Sequence, residues 1–313
     1  MVVPYDRDLS IGALRQALPY IRMYRGRTFV IKAGGAMCAD NAAQRELAQQ
    51  IGVLCELGIR VVFVHGGGPQ TTTLSEKLGE KAIFVDGRRV TSPQALEIAI
   101  MTLNGSVNTA IVSACRAAHV PAIGVSGIDA GLIRAIRRPP QERIVDGQPT
   151  TVDYGLVGDI VSVDASVINR LLDAQLVPIV SPLSADNDGL VLNINADTVA
   201  STLACALNAE KLIFLTDTAG LLEDKNDPAS LISYTDINGI GRYESRGVIA
   251  GGMLPKVKAA KEALQGGVQR VHMVGYKGRS SLLVEFFTNE GAGTLIVKDT
   301  AELPSTENIT TNP

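Results

Sequence analysis

The apolar positions of the chain fall into two kinds of segment. Val61-Val62-Phe63-Val64 is an unbroken, mostly β-branched run, the pattern of a strand buried on both faces. Thr28-Phe29-Val30-Ile31, Pro121-Ala122-Ile123-Gly124-Val125, Val177-Pro178-Ile179-Val180 and Lys211-Leu212-Ile213-Phe214-Leu215 have the same character. Between the first two strands, Leu47, Ile51, Leu54 and Leu57 recur at helical spacing, with Asp40 as a candidate cap and Gly58 as the stop. This is a β-α-β unit. The crossover rule makes its strands parallel and puts the turns after them at one edge of the sheet, where ligands bind in open α/β folds.

The remaining elements follow from the same reading. Ile11, Leu14, Leu18 and Ile21, with Arg15, Gln16 and Arg22 between them, predict an amphipathic helix over 9–25 that packs on its own domain or on another subunit. A hairpin is expected over 81–90, centred on Asp86-Gly87, then a long helix from about Pro93 to Ala118. Residues 131–163 read as hairpins at the rim, and 183–190 as a polar loop between two lobes. An alanine-rich helix to about Leu207, a helix from about Leu254 to Gln265 and strands near Val271 and Leu283 complete the core.

Composition narrows the classes. At 313 residues the chain buries a substantial core, and a formal net charge of −3 gives no reason to expect nucleic acid or an anionic membrane as partner. No apolar run suggests a membrane span, and Met1-Val2-Val3-Pro4-Tyr5-Asp6 does not read as a signal peptide. The four cysteines (Cys38, Cys55, Cys115, Cys205) and three histidines (His65, His119, His272) are scattered, without metal-like pairing. The expectation is a reduced, soluble, cytoplasmic protein.

Candidate chemistry collects where strands end. Val64-His65 runs into Gly66-Gly67-Gly68, and Pro69 suits the first turn of a helix ending near Leu78. Such a turn presents bare N–H groups at the positive end of a helix dipole, which attracts phosphate or another anion. A tight turn without a ligand is the plainer reading of three glycines alone. The loop lacks the Gly-Lys-Ser/Thr of a P-loop and does not spell G-x-G-x-x-G. Lys32 with Gly34 and Gly35, Asp197, Asp217, and Lys256 beside Gly251-Gly252 fall at similar places. Two lysines among glycine turns make a cradle for several negative charges, as phosphoryl transfer requires, and an aspartate near both would keep them in place. Singly, such a lysine is usually solvated and Asp197 reads as a helix cap. Together they argue for a site.

Here the chain resembles the amino-acid kinase family, over about Leu9 to Val297. The motifs are Lys32-Ala33-Gly34-Gly35, Val64-His65-Gly66-Gly67-Gly68-Pro69-Gln70, Arg89-Val90-Thr91, Asn193-Ile194-Asn195-Ala196-Asp197 and Gly251-Gly252-Met253-Leu254-Pro255-Lys256, in the family's order. Within the family they are similar to the branch that phosphorylates N-acetyl-L-glutamate in arginine synthesis. That resemblance implies a three-layer αβα sandwich around a mainly parallel open sheet. It implies one domain over 1–299, with an acceptor lobe at 26–186 and a nucleotide lobe at 187–299, before a polar tail at 300–313. It further implies ATP and Mg²⁺, the metal carried by the nucleotide rather than by protein ligands. Lys32, Lys256 and Asp197 would be catalytic. Gly67, Gly68, Arg89, Asn193 and Asn195 would bind the acceptor. Gly34, Gly35, Gly66, Thr216, Asp217, Gly220, Gly252 and Met253 would bind phosphates and ATP. No general base is demanded, because the acceptor carboxylate is ionised at neutral pH, and His65 is expected to pack beneath its loop.

The resemblance also implies a homo-oligomer, a dimer or a hexamer joined through the N-terminal helix, and L-arginine as effector at a site including Lys277, Glu285 and Gly291. There the chain departs from the pattern: the family's Asp-Gly-Arg and following histidine are replaced, and Ser280 stands at the histidine position. Ala33 and Arg88 also depart, and Arg88 would adjust substrate preference. Other readings stay open. N-acetyl-aminoadipate differs from the acceptor by one methylene, worth only about 1–3 kcal/mol of discrimination. A regulatory protein without turnover need not keep Lys32, Asp197 and Lys256. A Rossmann dehydrogenase lacks its glycine fingerprint.

Overall fold

The computed structural model describes residues 7–85, 88–145, 148–288 and 291–300. The turn at Asp86-Gly87 and the tail beyond residue 300 lie outside them. An eight-stranded sheet runs in the order Tyr234–Asp236, Gly293–Val297, Arg270–Gly275, Lys211–Thr216, Thr28–Ala33, Arg60–His65, Val177–Ser181 and Ala122–Ser126. Its pairings are parallel except that between Arg270–Gly275 and Gly293–Val297.

Alternation along the central strands explains the layers. Phe29, Ile31, Val61, Phe63, Ile213 and Leu215 join Leu47, Ile51, Leu54 and Ile111 in one core cluster. Val30, Val62, Val64, Leu212 and Phe214 join Val199, Leu203, Val257 and Leu264 in another. Successive side chains point to opposite faces, and both faces are roofed by helices, so the strands carry no polar face and read as continuous apolar runs. The αβα sandwich is therefore present as expected.

Several elements differ from the sequence reading. Leu183–Ala185 is no loop but a strand, paired antiparallel with Val191–Asn193 in a four-stranded rim sheet, because Leu183 is fully buried. Around Leu283 the chain forms a helix, Ser281–Phe287, with Leu282 and Phe286 buried four residues apart. Strand Tyr234–Asp236 and helix Ile237–Ser245 carried too few apolar positions to be foreseen. The long helix runs unbroken over Pro93–Ala117 and is, with a mean hydropathy of 1.4, long and apolar enough to cross a membrane by those measures alone, contrary to the sequence reading. Here Ile111 and Cys115 lie in the core against the helix Asn41–Glu56 layer. Its middle, Met101–Val107, is wound as a π-helix.

The N-terminal helix, Arg7–Tyr24, docks by its last turn. Tyr24 is buried edge-on against Phe29, with ring centroids 5.3 Å apart, whereas Ile11, Leu14, Leu18 and Met23 are exposed.

The central strand Thr28–Ala33 positions the site. From it the chain returns to one side through helix Asn41–Glu56, on one face, and strand Arg60–His65. On its other side lies Lys211–Thr216, reached through helix Ala196–Ala206 on the opposite face. Such a reversal opens a crevice beyond the strands' carboxyl ends.

Candidate active site

Lys32 follows Val30 in the alternation and so faces the layer holding helix Ala196–Ala206. That helix is capped by Asn195, whose Oδ1 accepts from the Asp197 amide at 2.7 Å, and Asp197 sits in its first turn. Asp197 is thus not the cap. Its carboxylate is free to meet Lys32 Nζ at 2.6 Å and Lys256 Nζ at 3.7 Å. The Lys32 and Asp197 side chains are only 5% and 7% exposed. Burial alone would raise the Asp197 pKa, but the two ammonium groups outweigh it and hold the carboxyl below its ordinary value. Burial also pulls Lys256 below the ordinary lysine value, Lys32 adds to that pull, and Asp197 opposes it.

Besides the Asn195-capped start of helix Ala196–Ala206, three helix starts meet the same cleft, and each of these has glycine where a capping side chain would stand. Gly34 precedes helix Gly35–Ala39, Gly67 precedes Gly68–Lys77, and Gly252 precedes Met253–Gln265. None makes a side-chain cap, whereas Asp40, Ser92, Asp164 and Asp236 cap helices elsewhere. The donors left open lie where an anion would sit. Two glycines are also sterically required. A Cβ at Gly35 would collide with Pro69 Cδ, and one at Gly67 would lie 2.6 Å from Leu103 Cδ2.

The cleft has a volume of about 960 Å³ and takes in Lys32, Gly34, Gly35, Gly66, Gly67, Gly68, Arg89, Asn193, Asn195, Asp197, Gly252 and Lys256. Its charged lining is six Lys or Arg against three Asp or Glu, in a chain of net negative charge, so its own field favours an anionic occupant. At one end Arg89 donates to Thr72 Oγ1 at 2.5 Å and stacks over Phe84, 4.8 Å from its centroid. Its Nη1 is buried with no protein partner, as a carboxylate-gripping guanidinium would be. Asn193 Nδ2 lies 3.4 Å from Thr91 Oγ1. Asn195 spends its oxygen on the cap, which leaves its amide nitrogen for any ligand.

Other expected residues lie outside the lining. Thr216 Oγ1 donates to Thr218 O at 2.7 Å, and a side chain at Gly220 would collide with Thr294. Asp217 hydrogen-bonds the Tyr276 side chain and its charge reaches Lys256, so it borders the lysine end of the cleft. Met253 lies between the lining residues Gly252 and Leu254. Glu285 is already committed: Oε1 to His272 Nδ1 at 2.6 Å, Oε2 to the amides of Ala292 and Gly293. Gly291 adjoins it, and Lys277 lies over Tyr276. Sequence reading missed Arg138, Asp159, Lys258 and Glu262 in the lining. The first two are ion-paired at 2.6 Å, Arg138 just past the rim strand Ile133–Arg137 and Asp159 in the strand Gly158–Val163, whose return to the cleft no local pattern announces. Lys258 and Glu262 stand four residues apart on one face of helix Met253–Gln265, a spacing that could have revealed them as a pair.

His65 is completely buried beneath the glycine turn, as expected, and burial lowers its pKa to about 4. His272 is lowered to about 4 for the same reason, with Lys211 adding. Between pH 6.5 and 4 each therefore takes up a proton in the unfolded chain but not in the folded one, so stability falls as pH falls. For His65 the loss from pH 8 to pH 5 is about 2 kcal/mol. Denaturant titrations at the two pH values will read it, and His65→Gln is expected to remove about that much of the pH dependence.

Comparison with known proteins places the chain in a family. The model of the Amino acid kinase family matches residues 27–275. The acetylglutamate kinase of Myxococcus xanthus is 48% identical over 94% of this chain and 96% of its own. A solved structure of N-acetylglutamate synthase from Neisseria gonorrhoeae, complexed with coenzyme A and N-acetyl-glutamate, superposes with a TM-score of 0.78 at 28% identity, over 93% of this chain and 64% of the synthase. The same synthase complexed with coenzyme A and L-arginine gives 0.76 at 27% identity, over 92% and 65%. With matching at this level along nearly its whole length, the chain belongs to the amino acid kinase family and, within it, groups with the acetylglutamate kinases.

Proposed function

We propose that the protein transfers the γ-phosphoryl group of ATP to the side-chain carboxylate of N-acetyl-L-glutamate, forming an acyl phosphate, a step of arginine synthesis. The observation that carries this reading is the buried Lys32–Asp197 pair, with the half-buried Lys256 beside it, facing three uncapped glycine helix starts in one cleft. The acceptor carboxylate attacks phosphorus, and the bond to the ADP oxygen breaks. Charge spread over the transferring oxygens is met by the two ammonium groups and by the amides at Gly35, Gly67 and Gly68, all fixed beforehand. Asp197 orients both lysines. Arg89 offers its unpaired Nη1 to the α-carboxylate of the acceptor, with Asn193 and the Asn195 amide beside it.

The acceptor lies on the side of residues 26–186 and the nucleotide on the side of 187–299, where Gly252, Met253, Thr216, Asp217 and Gly220 border it. Among the described residues no three His, Cys, Asp or Glu side chains gather to hold a metal ion. Mg²⁺, brought with the nucleotide, would neutralise part of the phosphate charge.

L-arginine as effector is supported by the solved synthase complex and by the retained Glu285 and Gly291. Glu285 already accepts from His272 and two amides, which leaves one acceptor site, on Oε1, for a further donor. A homo-oligomer joined through helix Arg7–Tyr24 is supported by the exposed Ile11, Leu14, Leu18 and Met23.

Hydroxylamine trapping with ATP, Mg²⁺ and either N-acetylglutamate or N-acetyl-aminoadipate tests the reaction and the acceptor together. Hydroxamate from the shorter acid is expected, and silence with both in a folded, ATP-binding protein would overturn the reading. In the same assay Arg89→Ala is expected to raise the acceptor KM at least tenfold and leave the ATP KM within about twofold.

A further inference from the structure

The long helix carries a buried polar group that the chemistry above does not use. Asn108 is 7% exposed and stands where the π-helical turns of Met101–Val107 give way to ordinary helix. Its amide nitrogen lies 2.9 Å from Ile179 O and 3.1 Å from His65 Nε2, so its two hydrogens are both used. With Nε2 accepting, the neutral imidazole carries its proton on Nδ1, which donates to Gly66 O at 3.1 Å. A relay thus runs from strand Val177–Ser181 through Asn108 and His65 to the first carbonyl of the glycine turn. The third neighbouring strand makes room for it, since any Cβ at Gly124 would overlap Asn108 Oδ1.

The same π-helical stretch supplies the turn's apolar wall. Leu103 lies against Gly67, and Asn104 accepts from Ser181 Oγ at the next strand's end. Each extra residue held in the wider winding shifts everything beyond it by about 100° and 1.5 Å relative to an α-helix. Leu103 and Asn108 therefore meet the turn together because this stretch is not α-helical.

We propose that Asn108 is a positioning residue for phosphoryl transfer: through His65 it fixes the Gly66 carbonyl, and so aims the Gly67 and Gly68 amides into the cleft. The inference rests on the phosphoryl-transfer reading. At His65 burial is the dominant influence, and the Gly66 backbone opposes it. The nearby Cys38 thiol, which hydrogen-bonds the Gly66 backbone, is pushed up to about 12 by burial and stays neutral. Lys32 and Asp197 face each other on the cleft side.

The substitution Asn108→Asp tests it without removing volume. A carboxylate at this position accepts from His65 Nε2–H, which in the neutral ring strips Nδ1 of its proton and breaks the bond to Gly66 O. Protonating His65 restores that bond. Activity of N108D is thus expected to rise as pH falls through the raised His65 pKa, while the wild type shows no such ionisation between pH 6 and 8. Nitrogen-15 imidazole shifts in the free protein are expected to show the Nδ1–H tautomer in the wild type and its loss in N108D at high pH. Asn108→Ala is expected to lower kcat tenfold or more with both KM values within about threefold, measured well below its melting temperature. An Nε2–H tautomer in the wild type, or N108D with a wild-type pH profile, would overturn the proposal. Wild-type hydroxamate formation in the same plates tests the reaction itself, so the two failures are distinguishable.

Discussion

Lys32→Ala is expected to lower kcat by a factor of about 10²–10³ while the protein stays folded. Lys32 is the cation placed deepest in the cleft, at the end of a strand whose six residues are all buried, so its ammonium cannot swing away. A charge fixed in a water-poor site stabilises developing negative charge far more than a solvated one, because nothing must reorganise as the phosphoryl group moves. The fold tolerates the change because Asp197 keeps Lys256 as a partner. Lys32→Arg is not expected to rescue it, since a planar fork cannot occupy the place of a compact ammonium. Hydroxamate rates at saturating substrates, with a melting curve on the same sample, give the answer. Activity within threefold of wild type would remove Lys32 from the mechanism.

Removing the carboxylate is expected to act on stability as well. Asp197→Ala leaves the Lys32 ammonium buried without its 2.6 Å counter-ion, and losing one partner of a buried pair costs about 3–5 kcal/mol. Replacing both, as in Lys32→Met with Asp197→Leu, is expected to recover most of that loss and none of the activity. Denaturant titration of Lys32→Met, Asp197→Leu and the double variant closes a cycle, and a coupling below about 1 kcal/mol would mean that the pair is solvated in solution. Acid should mimic the deletion in part. The Asp197 pKa is depressed, so its contribution is complete above the ordinary carboxylate range and is lost as pH falls below it.

Both effects depend on residues far apart in the chain. Their contact follows from two local facts: Lys32 has the parity of Val30, and Asp197 follows a capping Asn195. Glycine turns after strands, a lysine at the end of an apolar run and the crossover rule were all readable, and they placed most of the cleft at one sheet edge. These signals are legible because they are periodic or conformational, and a short window contains them.

What the linear sequence determined by itself is therefore an open α/β sheet with strands buried on both faces, the parallel pairing of its first strands and the identity of the charged cluster, since burial on two faces and bare glycine helix starts leave marks within a few residues. Only the tertiary structure decided that residues 183–193 form a hairpin, that Leu283 is helical, that Glu285 is spent on His272, and that Arg138 and Asp159 border the cleft. It alone revealed the π-helical winding that puts Asn108 beneath His65. Each of these depends on what stands opposite a residue across the fold. An apolar run has the same composition whichever neighbour buries it, and a polar side chain is a relay only once the groups at both its ends are in place.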